Sequence, residues 1–212
     1  MEVWDLYDKN KQLTGKTHTR GDDIPENHYH LVVHAWLINS EGKYLITQRA
    51  ENRPTYPLMF ECVGGSVLQG ETSEQGAIRE IVEEVGLTFA EGSGKLFHSK
   101  VRDNVNGKKF NDIMDAWMFK YDGEVDLKNA TTDEVCSCKW VTIDEIKAIY
   151  DEGKLVPTLE YIFELDGEVQ KLKNNPKKND KNKKKVKKLS ERSRYFDFYD
   201  DVKAGCHKII DW

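Results

Sequence analysis

Residues 72–85, TSEQGAIREIVEEV, constrain the chain more than any other stretch. Thr72 with Gln75 three positions on has the spacing of a capping box, and Gly86 stands where a helix C-terminal stop belongs. At about 100° per residue, Glu80, Glu83 and Glu84 fall within roughly one 100° sector. Ile78, Ile81, Val82 and Val85 fall on the opposite side. One side of the predicted helix therefore packs into a core while the other gathers three carboxylates. Like charges three and four residues apart cost a few tenths of a kcal/mol per pair in an isolated helix. They make sense if a cation sits among them. Mg²⁺ is the expected occupant, with Mn²⁺ as the alternative, because a hard ion of this kind shares its shell between carboxylates and phosphate oxygens. A solvated acidic face with no ligand is the bland alternative.

The flanking residues have separable expected roles. Gly64-Gly65 lets the backbone approach closely, since glycine tolerates unusual dihedrals. Glu71, in the loop before the helix, suits an outer shell. Arg79 sits one residue before the acidic face and can orient a carboxylate through two parallel hydrogen bonds. Taken together, GSVLQGETSEQGAIREIVEEVGL over 65–87 has Gly65, Glu71, Arg79, Glu80, Glu83, Glu84 and Gly86 at fixed intervals. This resembles the Nudix box at every fixed position. Seven identities at about 7% each coincide by chance with a probability on the order of 10⁻⁸ per start point. The resemblance implies an α/β/α sandwich and a metal-dependent hydrolase that cleaves a diphosphate linkage, in a nucleoside diphosphate derivative or another organic diphosphate. It also implies that Glu80, Glu83 and Glu84, with the carbonyl of Gly64, hold the metal. A general base from a loop outside the box is a further implication. Glu134, just before a predicted strand, is the candidate, and Asp112 or Asp115 the fallback.

Hairpin and strand signals surround this helix. Segments 3–7, 30–38, 44–48, 113–121 and 135–141 read as strands, with a short one at 60–63. Asn39-Ser40-Glu41-Gly42 reads as a turn between two of them. Thr142 with Glu145 opens a second helix, and 158–172 reads as a third. Strands and helices come mixed rather than in strict βαβ alternation, which favours an α+β sandwich with a mixed sheet. The body is expected to span 1–170. Residues 171–212 form a different polymer, a Lys-rich extension with an aromatic end.

Charge follows the same division. Residues 171–212 carry 14 basic and 6 acidic groups, a balance of +8, while 1–170 carry 18 and 31, a balance of −13. An acidic body argues against nucleic acid as its partner and suits an enzyme that concentrates cations around a small diphosphate substrate. The basic extension suits an acidic partner or a second copy of the chain, and so a homodimer. The four cysteines make no CxxC pair, and the sequence has neither a signal-peptide pattern nor a run of about 18 apolar residues. A reduced, cytoplasmic protein that does not span a membrane is the expectation.

The region upstream of the box narrows the choice. HYHLVVHAWLINSEGKYLITQRAENRPTYP, over 28–57, is similar to the corresponding part of isopentenyl diphosphate isomerases, which share the Nudix fold. Those enzymes need a catalytic cysteine in a Cys-Gly-His-Pro segment, where this chain has Gly64-Gly65-Ser66-Val67. Cys62 lies two positions away, about 6–7 Å along a strand. The comparison assigns Arg49 and Arg53 to the diphosphate, as basic side chains that neutralise charge beyond the reach of one metal site. His28, His30 and His34 alternate along one predicted strand face, although a zinc site needs three or four converging ligands. Trp36, Phe110 and Trp117 are candidates for a pocket wall or for core. A hydrolase is favoured over a displaced-nucleophile isomerase, and over a non-catalytic diphosphate sensor, which has no need of three clustered glutamates.

Overall fold

Strand β3, His30–Ile38, decides the architecture because both of its faces are largely buried. Leu31, Val33, Ala35 and Leu37 enter one core cluster, while Trp36 and Ile38 enter another, with Val32 packed against it. A strand buried on both sides needs a covering layer on each, and that is the sandwich expected from the sequence. The computed structural model describes residues 1–105 and 108–164. Strands β1 (Val3–Tyr7) and β2 (Leu13–Thr19) form an antiparallel hairpin of their own. A seven-stranded mixed sheet contains β3, β4 (Tyr44–Arg49), β5 (Phe60–Glu61), β6 (Val63–Ser66), β7 (Lys95–Val105), β8 (Lys108–Lys120) and β9 (Val135–Val141). Its main path runs β5-β4-β3-β8-β7, with β6 paired to β3 and β9 to β4. Only β3 and β8 run parallel among these pairs.

Helix α1 (Ser73–Val85) covers one face of the sheet through Ala77, Ile81 and Val85. Helix α2 (Ile143–Asp151) covers the other through Ile146, together with Leu155, Leu159 and Ile162. Both helices begin with the capping boxes read from the sequence, and Gly86 closes α1 in the left-handed region at φ 70°. A side chain at Gly86 would also meet the Asn129 backbone at 2.4 Å.

Several details differ from the sequence reading. The 60–63 segment is split, β5 pairing with β4 and β6 with β3. Strands β2 and β7 carry too many charged and polar residues for an apolar alternation to show. The helix expected at 158–172 begins as a single 3₁₀ turn, Pro157–Leu159, followed by helical residues 161–164. Its remainder, and the whole 171–212 extension, lie outside the described residues. No helix among the described residues is long and apolar enough to cross a membrane.

Candidate active site

Helix α1 is rolled further inward than its amphipathic pattern suggests. The carboxylates do not sit opposite the buried side. Gly76, Ala77, Glu80, Ile81, Glu84 and Val85 form one continuous buried stripe, with Glu80 9% and Glu84 4% exposed. Ile78 and Val82, expected in the core, are only half-buried. Two glycines make this roll sterically accessible. A Cβ at Gly65 would lie 2.3 Å from Glu80 Oε1, and one at Gly64 would lie 2.3 Å from the Val33 carbonyl oxygen. Strand β6 can therefore lie against β3 only without a side chain at Gly64, and a side chain at Gly65 would displace the Glu80 carboxylate.

Arg79 is the hub of the acidic side. Its Nε donates to Glu71 Oε1 at 2.8 Å, and its Nη1 donates to Glu80 Oε1 and Glu83 Oε2, both at 2.9 Å. Its Nη2 donates to the Ser66 carbonyl at 2.7 Å and to Glu71 Oε2 at 3.2 Å. Glu71 in turn accepts from the Leu68 backbone N–H. One guanidinium thus fastens the loop, strand β6 and two helix glutamates into a single unit, in the fork geometry that arginine supplies.

Glu84 has no such partner. Its Oε1 receives only a long 3.5 Å bond from the Gly64 N–H, and its buried Oε2 has no hydrogen-bond partner. Burial, followed by the Glu61 and Glu80 charges, pushes its carboxyl well above the ordinary glutamate value. Burial likewise holds Glu80 up to about 7, with Arg79 opposing and Glu83 and Glu134 adding to the rise. Glu61, on β5, is a member of this cluster that the sequence reading missed. Burial raises its carboxyl too, against the pull of Arg49. Its only signal was a lone acid inside the otherwise apolar FECV stretch.

Both predicted phosphate-binding arginines border this cluster, each paired with a carboxylate. Arg49 Nη1 donates to Glu61 Oε1, and Arg53 Nη1 donates to Glu134 Oε1 at 2.7 Å. Glu134 is brought in by its backbone. The Thr131 and Thr132 N–H groups and the Thr132 hydroxyl all donate to the Glu83 carbonyl, and the Ala50 N–H donates to the Glu134 carbonyl. The end of α1 therefore anchors the loop that carries Glu134. The two fallback bases stand apart from the glutamates, each tied to a basic side chain. Asp112, 2% exposed, accepts from Arg102 Nε and Nη2 at 2.6 and 2.8 Å. Asp115 accepts from Lys11 Nζ and from the Ser73 and Ser99 hydroxyls.

A cleft of about 340 Å³ opens from Glu61, Gly64 and Gly65 towards Arg102, Phe110 and Asp112, with His30 and His34 on its wall. His28 does not join the other histidines. It precedes β3 and lies 3.3 Å from Lys16 Nζ, so the three imidazoles do not converge. Trp36 is core, with Nε1 donating to the Tyr161 hydroxyl at 2.7 Å, and Trp117 Nε1 donates to the Ser73 hydroxyl at 2.8 Å. Of the three candidate aromatics, only Phe110 lines the cleft.

Among the described residues, no three His, Cys, Asp or Glu side chains converge closely enough to hold a metal ion as they stand. The reason is visible: Arg79 draws Glu80 and Glu83, and Arg49 draws Glu61. The donor set nevertheless fits a hard divalent cation. It is all oxygen, it includes the unpartnered Glu84 Oε2, and its acids raise one another's proton affinity when nothing else neutralises them.

Comparison with known proteins agrees with this geometry. A family model described as NUDIX domain matches residues 28–162. An uncharacterized Nudix hydrolase of Listeria innocua is 34% identical over 168 residues, covering 78% of this chain and 95% of that protein. One from Listeria monocytogenes is 32% identical over 159 residues, covering 74% and 89%. Among solved structures, DR0079 from Deinococcus radiodurans superimposes with a TM-score of 0.60 at 23% identity, covering 74% of this chain and 93% of that one, which is a likeness of fold.

Proposed function

The chain belongs to the Nudix hydrolase family, whose members hydrolyse diphosphate-containing substrates, and on that premise we propose that it is a magnesium-dependent enzyme cutting a diphosphate linkage by water attack at phosphorus. The observation that carries the proposal is the buried carboxylate cluster, above all Glu84, whose Oε2 is buried without a hydrogen-bond partner. Burying ionised carboxylates costs several kcal/mol unless a cation compensates them, so a site of this kind implies one.

Glu80, Glu83 and Glu84, with the Gly64 carbonyl, would hold Mg²⁺ or Mn²⁺. Such an ion would supply charge to neutralise the diphosphate and would acidify the attacking water. Arg79 and Glu71 orient the glutamates through the bonds described above. Arg49 and Arg53 are the diphosphate's own partners, each exchanging a carboxylate for a phosphoryl oxygen when substrate arrives. That exchange releases Glu134 from Arg53, leaving it free to accept the proton of the attacking water. Asp112 and Asp115, buried and held in ion pairs with Arg102 and Lys11, suit that task less well.

An isomerase of isoprenoid diphosphates fits less well. Gly64, at the position of the isomerase cysteine, has no room for any side chain. Cys62 is 3% exposed, and burial pushes its thiol well above the usual range.

The test is metal-dependent turnover in Glu83→Gln and Glu84→Gln, assayed as phosphate release from a panel of nucleoside diphosphate derivatives, dinucleotides and isoprenoid diphosphates. Each variant is expected to lose about 10²-fold or more while remaining folded, because the lost ligand charge matters to the transition state and relief of repulsion offsets it in the fold. Near-normal rates in both variants with Mg²⁺ present would remove the catalytic assignment.

A further inference from the structure

The end of the cleft away from the glutamates contains a charged pair that the hydrolytic step does not use. Three neighbouring strands bring it together: His30 on β3 is in register with Asp112 on β8, and Asp112 with Arg102 on β7. Arg102 is buried, and Asp112 takes its Nε and Nη2 in a two-point bond. Its third nitrogen, Nη1, is buried with no hydrogen-bond partner. The register of β7 and β8 shifts just beyond this pair, and Asn111 adopts a left-handed φ of 52°. Asparagine adopts this conformation more readily than other residues that carry a side chain. Phe110, immediately before it, lies over the guanidinium with Cζ 5.0 Å from the ring centroid. Arg102 is therefore held in one orientation from two sides.

A second donor completes the wall in one tautomer of His34. The Trp36 indole can only donate, so the Tyr161 hydroxyl accepts from it, and His34 Nδ1 lies 3.0 Å from the same oxygen. Where that hydroxyl gives its proton to Nδ1, the His34 ring proton is on Nε2. His34 lines the cleft, as does Arg102. The wall thus offers N–H donors, and the Arg102–Asp112 charges cancel.

We propose that Arg102 is the specificity-determining residue of this enzyme, donating Nη1–H, with His34 beside it, to a flat, uncharged substrate group whose edge carries carbonyl-type acceptors. The inference rests on the diphosphate hydrolase reading and extends it to the part of the substrate beyond the diphosphate. A fully apolar tail would leave a buried guanidinium N–H unpaired, which costs more than any apolar contact it gains. A second phosphate would find no net positive charge, because Asp112 already neutralises Arg102. A cleft of about 340 Å³ is at the small end for ligand sites and suits one ring system with its linker.

The full 212-residue chain tests this with two probes that share a diphosphate and differ at the other end. Methylene-bridged analogues of uridine diphosphate and of isopentenyl diphosphate are titrated calorimetrically with Mg²⁺ present, and turnover of the two natural diphosphates is measured alongside. Wild type is expected to bind the uridine analogue at least about tenfold more tightly than the isopentenyl one. Arg102→Lys, which keeps a charge for Asp112 but loses the planar fork and its separately placed Nη1, should weaken the uridine analogue about tenfold more than the isopentenyl one. If that variant does not fold, Asp112→Asn should give the same selective loss, because it preserves the side-chain shape and loosens the two-point anchor. Equal losses on both probes, or preference of wild type for the isopentenyl analogue, overturns the inference. Hydrolysis of neither diphosphate, with the binding contrast intact, counts against these two compounds as substrates of the hydrolase and leaves the assignment of Arg102 standing.

Discussion

Glu80→Gln in the metal-free protein probes the acidic cluster through the fold itself. Burial holds the Glu80 carboxyl at about 7, against an ordinary 4.5. A carboxyl raised in the folded state binds its proton more tightly there than in the unfolded chain. Its stabilising contribution is then complete below about pH 4.5 and is lost as pH rises through 7. Every tenfold difference in proton affinity between the two states corresponds to about 1.4 kcal/mol, so Glu80 alone should cost the fold about 2–3 kcal/mol between pH 5 and pH 8. Glu84 and Glu61 are raised in the same direction and steepen the slope. The glutamine variant keeps an oxygen to accept from Arg79 Nη1 and cannot ionise. Denaturant unfolding in EDTA at pH 5 and pH 8 should therefore show wild type losing about 2–3 kcal/mol more than Glu80→Gln across that interval. Adding Mg²⁺ at pH 8 should restore wild type by about 2.7 kcal/mol at a hundredfold excess over its Kd, and the variant by less. Equal pH slopes in the two proteins would refute the view that Glu80 is buried against an uncompensated acidic neighbourhood.

Two further outcomes follow from other parts of the chain. Gly65→Ala, whose Cβ would meet Glu80 Oε1 at 2.3 Å, should push the glutamate out of line and lower turnover about tenfold or more. Its melting temperature should fall by only a few degrees, and unchanged turnover would show that Gly65 is merely a convenient turn residue. Truncation after Gln170 should leave turnover intact while changing association, most visibly at low salt, since the deleted segment carries +8 against a −13 body. Sizing both proteins at low and high salt checks this, and lost turnover in a folded truncated chain would assign the segment to the active site.

The helix at the centre of the site was legible because its information is local. The capping box, the glycine stop and the spacing of Glu80, Glu83 and Glu84 are all set within about fifteen residues, and β3 declared itself by a run of β-branched, aromatic and other apolar residues broken only by His34. What the sequence did not disclose depends on pairing between distant strands. Glu61 joins the cluster only because β5 pairs with β4, and Arg102 meets Asp112 only through the register of β7 with β8. Arg49 and Arg53 were expected as partners of a diphosphate, and their pairing with Glu61 and Glu134 was not foreseen. The inward roll of α1 was hidden for a related reason. Periodicity gives the angle between residues around a helix, whereas the missing Cβ atoms of Gly64 and Gly65 determine how deeply its acidic edge is buried.

The pairing of arginines with carboxylates also bears on how substrate enters. Glu61, Glu71, Glu80, Glu83, Glu84 and Glu134 surround Arg49, Arg53 and Arg79, so six acids against three bases leave −3 when all are ionised. A diphosphate adds further negative charge to a site already in excess, and no rearrangement of the existing pairs changes that sum. Protons on Glu80 and Glu84 can lower the excess but remove the ligands a metal needs. Cations and protons are therefore alternative ways of neutralising one cluster. Freeing Arg49 and Arg53 for phosphate exposes Glu61 and Glu134, which favours the cation over the proton at that moment. On the proposed reading, metal and diphosphate bind with positive coupling, each raising the other's affinity by the same factor, as linkage requires.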